Sequence, residues 1–193
     1  MREHCFICYL LTAFCLFLSS YTAIAKTIES VEYKYYEISP HTPHQIKPEL
    51  MRTSPIRDNR GSFNGHTAWY INWNYQTSPG PAGCRLVNIE TRVHLIHTLP
   101  ALSQHVTDKQ TIDIFNQFNA ALTQHEKNHG KHGLQAAREM DKIFSGLQAQ
   151  QNCHVLSRMV DNIGRSIVDK YTQKDIEYDR TTRNGETEGA VIY

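Results

Sequence analysis

The chain has 193 residues, 20 of them basic and 19 acidic, which leaves a formal net charge of +1. This length is typical of one compact domain with a core of moderate size. Because the balanced charge contains neither a basic stripe nor an acidic block, the sequence predicts no nucleic-acid partner and no acidic tail.

Residues 1–25 have the pattern of a secretory signal peptide. Arg2 gives a positive start, an apolar stretch follows, and small residues precede a cleavage site after Ala25. A transmembrane helix is the less favoured alternative, because the apolar stretch is shorter than the ~20 residues that a bilayer requires. We therefore expect a single domain over residues 26–193 that has no membrane span and is periplasmic or secreted.

Alternation of apolar and polar residues predicts a β-rich first half. The expected elements are strands at 28–38, 67–75 and 85–98, a short helix within 43–52, a loop at 57–65 and a turn or loop at 78–83. The two strands that flank this turn are expected to pair as an antiparallel hairpin. Pro100 is expected to end the region.

The second half is predicted to be helical. Apolar residues recur at helical spacing over 107–146 and again over 153–170, and Thr107 and Gln110 have the spacing of a capping box. The tail, 175–193, is predicted as a loop with a candidate strand at its end. We therefore expect an α+β domain in which a small antiparallel sheet packs on a long helix and a second helix.

Two cysteines, Cys84 and Cys153, lie in the predicted mature chain. An even pair in an exported protein is typical of a disulfide, with two separate buried thiols as the alternative. Closing so long a loop contributes roughly 4 kcal/mol in the chain-entropy description. The bridge would connect the β-rich half to the helical half.

Residues 125–129, His-Glu-Lys-Asn-His, match the zinc-hydrolase motif H-E-x-x-H inside the long predicted helix. His125 and His129 are slightly more than one turn apart, so both rings project from one face and can bind one zinc ion at ~2.0–2.1 Å. Glu126 lies beside that ion, where its carboxylate can act as a general base towards the attacking water. The alternative is a solvated, histidine-rich helix face, and Lys127 departs from the uncharged residues of strict metalloprotease motifs.

A catalytic zinc site normally has three protein ligands, and the third is open here. His132 shares the helix face, but three ligands along two turns of a straight helix converge poorly on one ion. Asp179, in the tail, is a candidate carboxylate ligand. Three other histidines are more readily explained as structural or surface residues: His94, His97 and His154. Since His94 and His97 are three apart on a strand, only one of them could face the site.

Tyr178 directly precedes Asp179. A phenol at such a position can hydrogen-bond the oxyanion of a transition state. The alternative is a packed tyrosine whose hydroxyl contacts solvent.

Most of residues 28–193 resembles a family of predicted secreted zinc-dependent proteases. The resemblance rests on segments that follow one another in a fixed order: 67–73, Cys84, 94–100, 121–130, 136–140, Cys153, 178–185 and 189–191. It implies a periplasmic or secreted zinc peptidase with a Cys84–Cys153 bridge, and it adds weight to Tyr178 and Asp179. One departure is Asn184, where the family often has histidine. If that histidine is a ligand or proton donor, an altered activity, a lost activity or a substitution by His132 stays open.

These observations favour a zincin-like metallopeptidase that holds one Zn²⁺ ion and acts on a peptide or protein. In this hypothesis Glu126 deprotonates water and then returns the proton to the leaving amine. One rival is a non-catalytic zinc-binding module with a closed ligand set. Another is a metal-free envelope interaction domain that uses the aromatic strand residues Trp69, Trp73 and Tyr75. The sequence does not indicate an oligomeric state.

Overall fold

The computed structural model describes residues 26–59 and 61–193, so the predicted signal peptide lies outside the described residues. The strands are β1 (Lys26–Ile38), β2 (Arg57–Asp58), β3 (Gly61–Ser62), β4 (His66–Gly80) and β5 (Gly83–Leu102). The helices are α1 (Ile46–Thr53), α2 (Lys109–Ser145) and α3 (Cys153–Thr182), with 3-10 turns at Pro43–Gln45 and Glu186–Glu188. The predicted α+β class is confirmed.

The main sheet has the strand order β1-β5-β4. β4 and β5 pair antiparallel, as expected for the hairpin, but β1 runs parallel to β5. The sheet is therefore mixed, and the prediction of an antiparallel sheet was wrong. Alternation of residue types shows which face of a strand is buried but carries no information about the direction of its neighbour. The segment predicted as a loop at 57–65 contains the two-stranded β2–β3 ladder.

Helix α2 begins at Lys109, and its N-cap is Asp108 rather than Thr107. The Asp108 carboxylate accepts a hydrogen bond from the backbone N–H of Thr111 at 2.8 Å. The helix runs without a break through Gly130 and Gly133. A methyl group at Gly133 would lie 2.7 Å from Trp69 Cγ, so this glycine allows α2 to approach the sheet closely.

Helix α3 continues to Thr182, well beyond its predicted end at Lys170. The loop predicted from residue 175 was therefore wrong over its first part, and Asp179 is presented by a helix. Residues 189–193 form no strand. The last turns of α3 are polar because they face a cleft and solvent, so the apolar periodicity that identifies a helix fades there.

The core lies between the sheet and the two long helices. Val93 and Leu95 of β5 pack under α2, and a larger cluster joins β4 and β5 to α2 and α3. Trp69, Trp73 and Tyr75 are partly buried and pack against this cluster. The disulfide between Cys84 and Cys153 is present and joins the start of β5 to the start of α3. Within the described part of the chain, no helix is long and apolar enough to span a bilayer.

Candidate metal centre

The motif predicted at 125–129 lies in the middle of α2, on the face that packs against the sheet and α3. Only 3% of His125, 4% of Glu126 and 8% of His129 is exposed. The two imidazole rings stand edge to face, with their centroids 4.8 Å apart. A solvated, histidine-rich helix face is therefore not what the structure contains.

Asp179 of α3 completes a group of three converging side chains. Its Oδ1 lies 3.2 Å from His125 Nε2 and 2.9 Å from His129 Nε2, and the two Nε2 atoms are 3.2 Å apart. Ligand atoms at ~2.0–2.2 Å from one tetrahedral ion lie roughly 3.3–3.5 Å from each other. These three atoms form a triangle close to that size, so the group could hold a metal ion.

Each histidine of this triangle has a second carboxylate on its other ring nitrogen. His125 Nδ1 lies 2.8 Å from Glu188, and His129 Nδ1 lies 2.9 Å from Asp175. An Nδ1–H that donates to a carboxylate leaves the Nε2 lone pair free for a metal, which is the usual arrangement around histidine ligands. The donor set thus fits a cation in its chemistry as well as in its spacing.

Asp175 lies one helical turn before Asp179 and accepts hydrogen bonds from three groups. These donors are His129 Nδ1, His132 Nδ1 at 2.6 Å and Trp69 Nε1 at 2.6 Å. His129, His132 and Asp175 form a second group that could hold a metal ion. Asp175 contacts Nδ1 of His129, whereas Nε2 of His129 faces His125. Of the two candidates for the third ligand, Asp179 therefore lies beside the Nε2 atoms of both motif histidines, and His132 contacts Asp175 instead.

The charges of the cluster stabilise one another. Burial lowers the pKa of His129, but hydrogen bonds to Asp175 and Asp179 outweigh it and raise that pKa to about 10. Burial raises the pKa of Asp179, but hydrogen bonds to His125 and His129 outweigh it and hold the pKa well below its ordinary value. Protons on these imidazoles therefore compensate the negative charge of the carboxylates.

Tyr178 packs on the two motif histidines. Its ring stacks on His125 with centroids 4.8 Å apart, and its hydroxyl donates to Glu188 at 2.8 Å while accepting from Asn128 at 2.8 Å. It lines a smaller cavity of about 420 Å³ together with His132. This arrangement favours a role in holding Glu188 and the His125 ring over the predicted role towards an oxyanion.

A cleft of about 900 Å³ leads to the face of α2 that carries the candidate metal ligands. Segments from β1, the region between α1 and β4, α2, α3 and the C-terminal tail line it, and His125, Glu126, His129 and Asp179 are all among its lining residues. Burial raises the pKa of the Glu126 carboxyl group, and the charges of the neighbouring histidines oppose that effect. Glu126 is thus a buried carboxyl group that lines the cleft.

The other three histidines considered in the sequence lie outside the candidate ligand groups, and the two on β5 point to opposite faces as predicted. His97 is buried under α2 and hydrogen-bonds Thr67, whereas His94 lies on the opposite face near Ser30 and Glu32. His154 is exposed at the start of α3.

Asn184, the departure noted in the sequence, lies in the left-handed region at φ 54° and lines the cleft. Its backbone N–H donates to Asp179 O at 2.8 Å, which closes the C-terminal end of α3. The segment therefore anchors the helix turn that presents Asp179.

Four residues near the site were not predicted from the sequence: Asp175, Glu188, Thr67 and His66. His66 lines the cleft beside the motif. A signal existed for Asp175, since it lies four residues before Asp179 and would share its face on a helix. The other three come from segments distant in sequence, and only the tertiary structure brings them to the site.

A family model described as bacterial protein of unknown function (DUF922) matches residues 33–186. The match covers most of the chain, and the protein belongs to this family. The description of the family assigns no activity. No match was found among curated proteins or among solved structures.

Proposed function

We propose that this protein is an exported zinc-dependent peptidase with a zincin-like site. The observation that carries the proposal is the convergence of His125 Nε2, His129 Nε2 and Asp179 Oδ1 beside Glu126 at the base of an open cleft. Two imidazoles and one carboxylate are the kind of ligand set that catalytic zinc sites use, with one position left for water or substrate.

Zinc bound by these three residues would supply a Lewis acid that polarises a peptide carbonyl and lowers the pKa of water to about 7. Glu188 and Asp175 would hold His125 and His129 in the tautomer that presents Nε2. These two carboxylates also keep each ring from rotating, so the ligand atoms need little rearrangement on binding.

Glu126 would act as the general base. Its carboxylate would take a proton from the attacking water and return it to the amine that leaves. Burial favours the neutral carboxyl form, so Glu126 is a stronger base than an exposed glutamate would be. Glu126 is buried, lines the cleft and is not one of the candidate ligands, which favours a catalytic role over a non-catalytic zinc module.

Glu126→Gln separates catalysis from metal binding. The variant should retain one zinc per chain and lose peptide cleavage by at least ~100-fold, in line with removal of a general base. The assay is cleavage of a quenched peptide library, read by mass spectrometry, with zinc measured by elemental analysis. Glu139→Gln is the matched control, because Glu139 lies on the same helix and forms an ion pair with Lys170 at the surface.

Two results would contradict the proposal. Cleavage that survives Glu126→Gln would remove the assigned base. Zinc-free wild-type protein with full thermal stability would favour the metal-free interaction domain, although its three aromatic candidates are partly buried against the core.

Export is supported by the sequence of residues 1–25 and by the Cys84–Cys153 disulfide, a bond that persists in oxidising compartments. Cell fractionation and N-terminal sequencing test it. The mature chain should begin at Lys26 in the periplasmic or secreted fraction, and an uncleaved cytoplasmic protein would contradict this part of the proposal.

A further inference from the structure

A buried polar pair lies directly beneath Glu126. Thr67 on β4 and His97 on β5 are cross-strand partners on the face that packs against α2. Only 7% of Thr67 and 3% of His97 is exposed, so neither side chain can rely on solvent for hydrogen bonds.

The hydroxyl of Thr67 connects this pair to the carboxylate. Thr67 Oγ1 lies 2.8 Å from Glu126 Oε2, 2.9 Å from Glu126 O and 2.8 Å from His97 Nδ1. A hydroxyl has one hydrogen to donate, and the two atoms in position to accept it, Glu126 Oε2 and Glu126 O, both belong to Glu126. The consistent arrangement is then that His97 Nδ1–H donates to Thr67, and the Thr67 hydroxyl donates to Glu126 Oε2.

The surroundings support a neutral His97 with a single N–H. Burial and the positive charge of Lys127 hold the pKa of His97 below its ordinary value. A methyl group at Gly130 would lie 2.9 Å from His97 Cε1, so the helix backbone fixes the ring from above. A neutral imidazole whose Nδ1 carries the hydrogen is the form that the hydrogen-bond direction requires.

The other oxygen of Glu126 is confined as well. A methyl group at Gly65 would lie only 2.8 Å from Glu126 Oε1, so the absence of a side chain there leaves room for the carboxylate. Glu126 is thus held between the backbone at Gly65 and the hydroxyl of Thr67, at the end of β4 that opens into the cleft.

We propose that Thr67 and His97 are positioning residues that orient the Glu126 carboxylate through a His97–Thr67–Glu126 hydrogen-bond relay. The inference rests on the proposed function, because the orientation matters only if Glu126 acts as the base. Neither residue touches the candidate ligand atoms, so zinc binding should not depend on them.

The first test is kinetic. Thr67→Val should lower kcat by roughly 10–100-fold with KM and zinc content unchanged, since small displacements of a catalytic group have effects of this size. Thr67→Ser, which restores the hydroxyl, should recover most of kcat. Thr91→Val is the matched control: Thr91 is also fully buried and its hydroxyl bonds a carboxylate, that of Asp141, far along α2 from the motif. It should lose stability but keep kcat.

The second test is independent of activity and uses metal-free protein. The His97 Nδ1–H resonance is followed by ¹H–¹⁵N NMR in wild type, Glu126→Gln, Thr67→Val and the double variant. Glu126→Gln should shift the His97 resonance although the two side chains are joined only through Thr67. In the Thr67→Val background the same substitution should no longer shift it.

The outcomes separate the two proposals. A His97 resonance insensitive to Glu126→Gln, or equally sensitive with Thr67→Val, would overturn the relay. Equal kcat losses for Thr67→Val and Thr91→Val, or no rescue by serine, would do the same. Wild-type protein that binds zinc but cleaves no peptide would refute the peptidase proposal, and the NMR result would still decide whether the relay exists.

Discussion

Replacing Asp175 by Asn should weaken zinc binding without abolishing it. In the structure the carboxylate accepts from His129 Nδ1 and His132 Nδ1 on one oxygen and from Trp69 Nε1 on the other. An asparagine keeps one acceptor oxygen, and its NH₂ group would face an N–H donor at the other position. At least one donor therefore loses its partner, and the His129 ring loses its fixed orientation.

The expected loss is 10–100-fold in zinc affinity, the range typical for carboxylates that hold a ligand histidine. This corresponds to about 1.4–2.7 kcal/mol. The assay is competition against a fluorescent chelator at fixed pH. Asp161→Asn is the control. Asp161 lies on α3, like Asp175, and accepts a hydrogen bond from the indole N–H of Trp73 on β4 at 3.4 Å, away from the histidine cluster. Unchanged affinity in Asp175→Asn, or equal losses in both variants, would refute the assignment of Asp175.

Three further perturbations test the packing and electrostatics. Replacing both Cys84 and Cys153 by Ala should lower the free energy of unfolding by roughly 4 kcal/mol, because the bridge closes a loop with a sequence separation of 69; a urea titration with unchanged stability would contradict this. Gly133→Ala should destabilise the protein by about 1–3 kcal/mol in thermal unfolding, since the added methyl would meet Trp69 at 2.7 Å. Gly146→Ala is the control and should leave the stability nearly unchanged, because its methyl meets nothing closer than 3.6 Å. In metal-free protein, the His129 pKa is raised, so the stability it contributes is complete below the ordinary value of 6.5 and is lost as the pH rises through about 10. The Asp179 pKa is lowered, so the stability it contributes is complete above the ordinary value of 3.8 and is lost as the pH falls below it. The melting temperature should therefore fall on both sides of a window between about pH 4 and 6.5. Zinc affinity should instead rise with pH, because the ligand histidines must lose their protons, and a flat profile for both forms would contradict the assignment.

The parts of the fold that repeat a local pattern could be predicted from the sequence. The alternating residues of β4 and β5 and the helical spacing along α2 identified these elements, and the two-cysteine count identified the disulfide. The spacing of His125 and His129 also determined that they share one face, since four residues make slightly more than one helical turn.

Other features depend on information that local patterns lack. The parallel direction of β1 depends on where the chain returns to the sheet, and no residue within β1 encodes it. The end of α3 was predicted too early because Asp175, Tyr178 and Asp179 face the site and interrupt the apolar periodicity. Because these polar side chains face the histidine cluster instead of the core, their helix was difficult to recognise from apolar spacing.

The residues that contact Glu126 and the candidate ligand His125 could not be predicted for a related reason. Thr67 is an ordinary strand residue in the sequence, and its contact with Glu126 joins positions 59 apart. Glu188 belongs to a short turn and reaches His125 across 63 positions. Such contacts are set by the packing of α2 against the sheet and α3, which a single sequence does not specify.

The position of the metal can be determined by anomalous diffraction at the zinc edge, from crystals grown with one equivalent of zinc. We expect one strong peak at ~2.0–2.2 Å from His125 Nε2, His129 Nε2 and a carboxylate oxygen of Asp179, the distances that zinc adopts with such ligands. A peak held instead by His132 and Asp175, or one that leaves His125 uncoordinated, would contradict it.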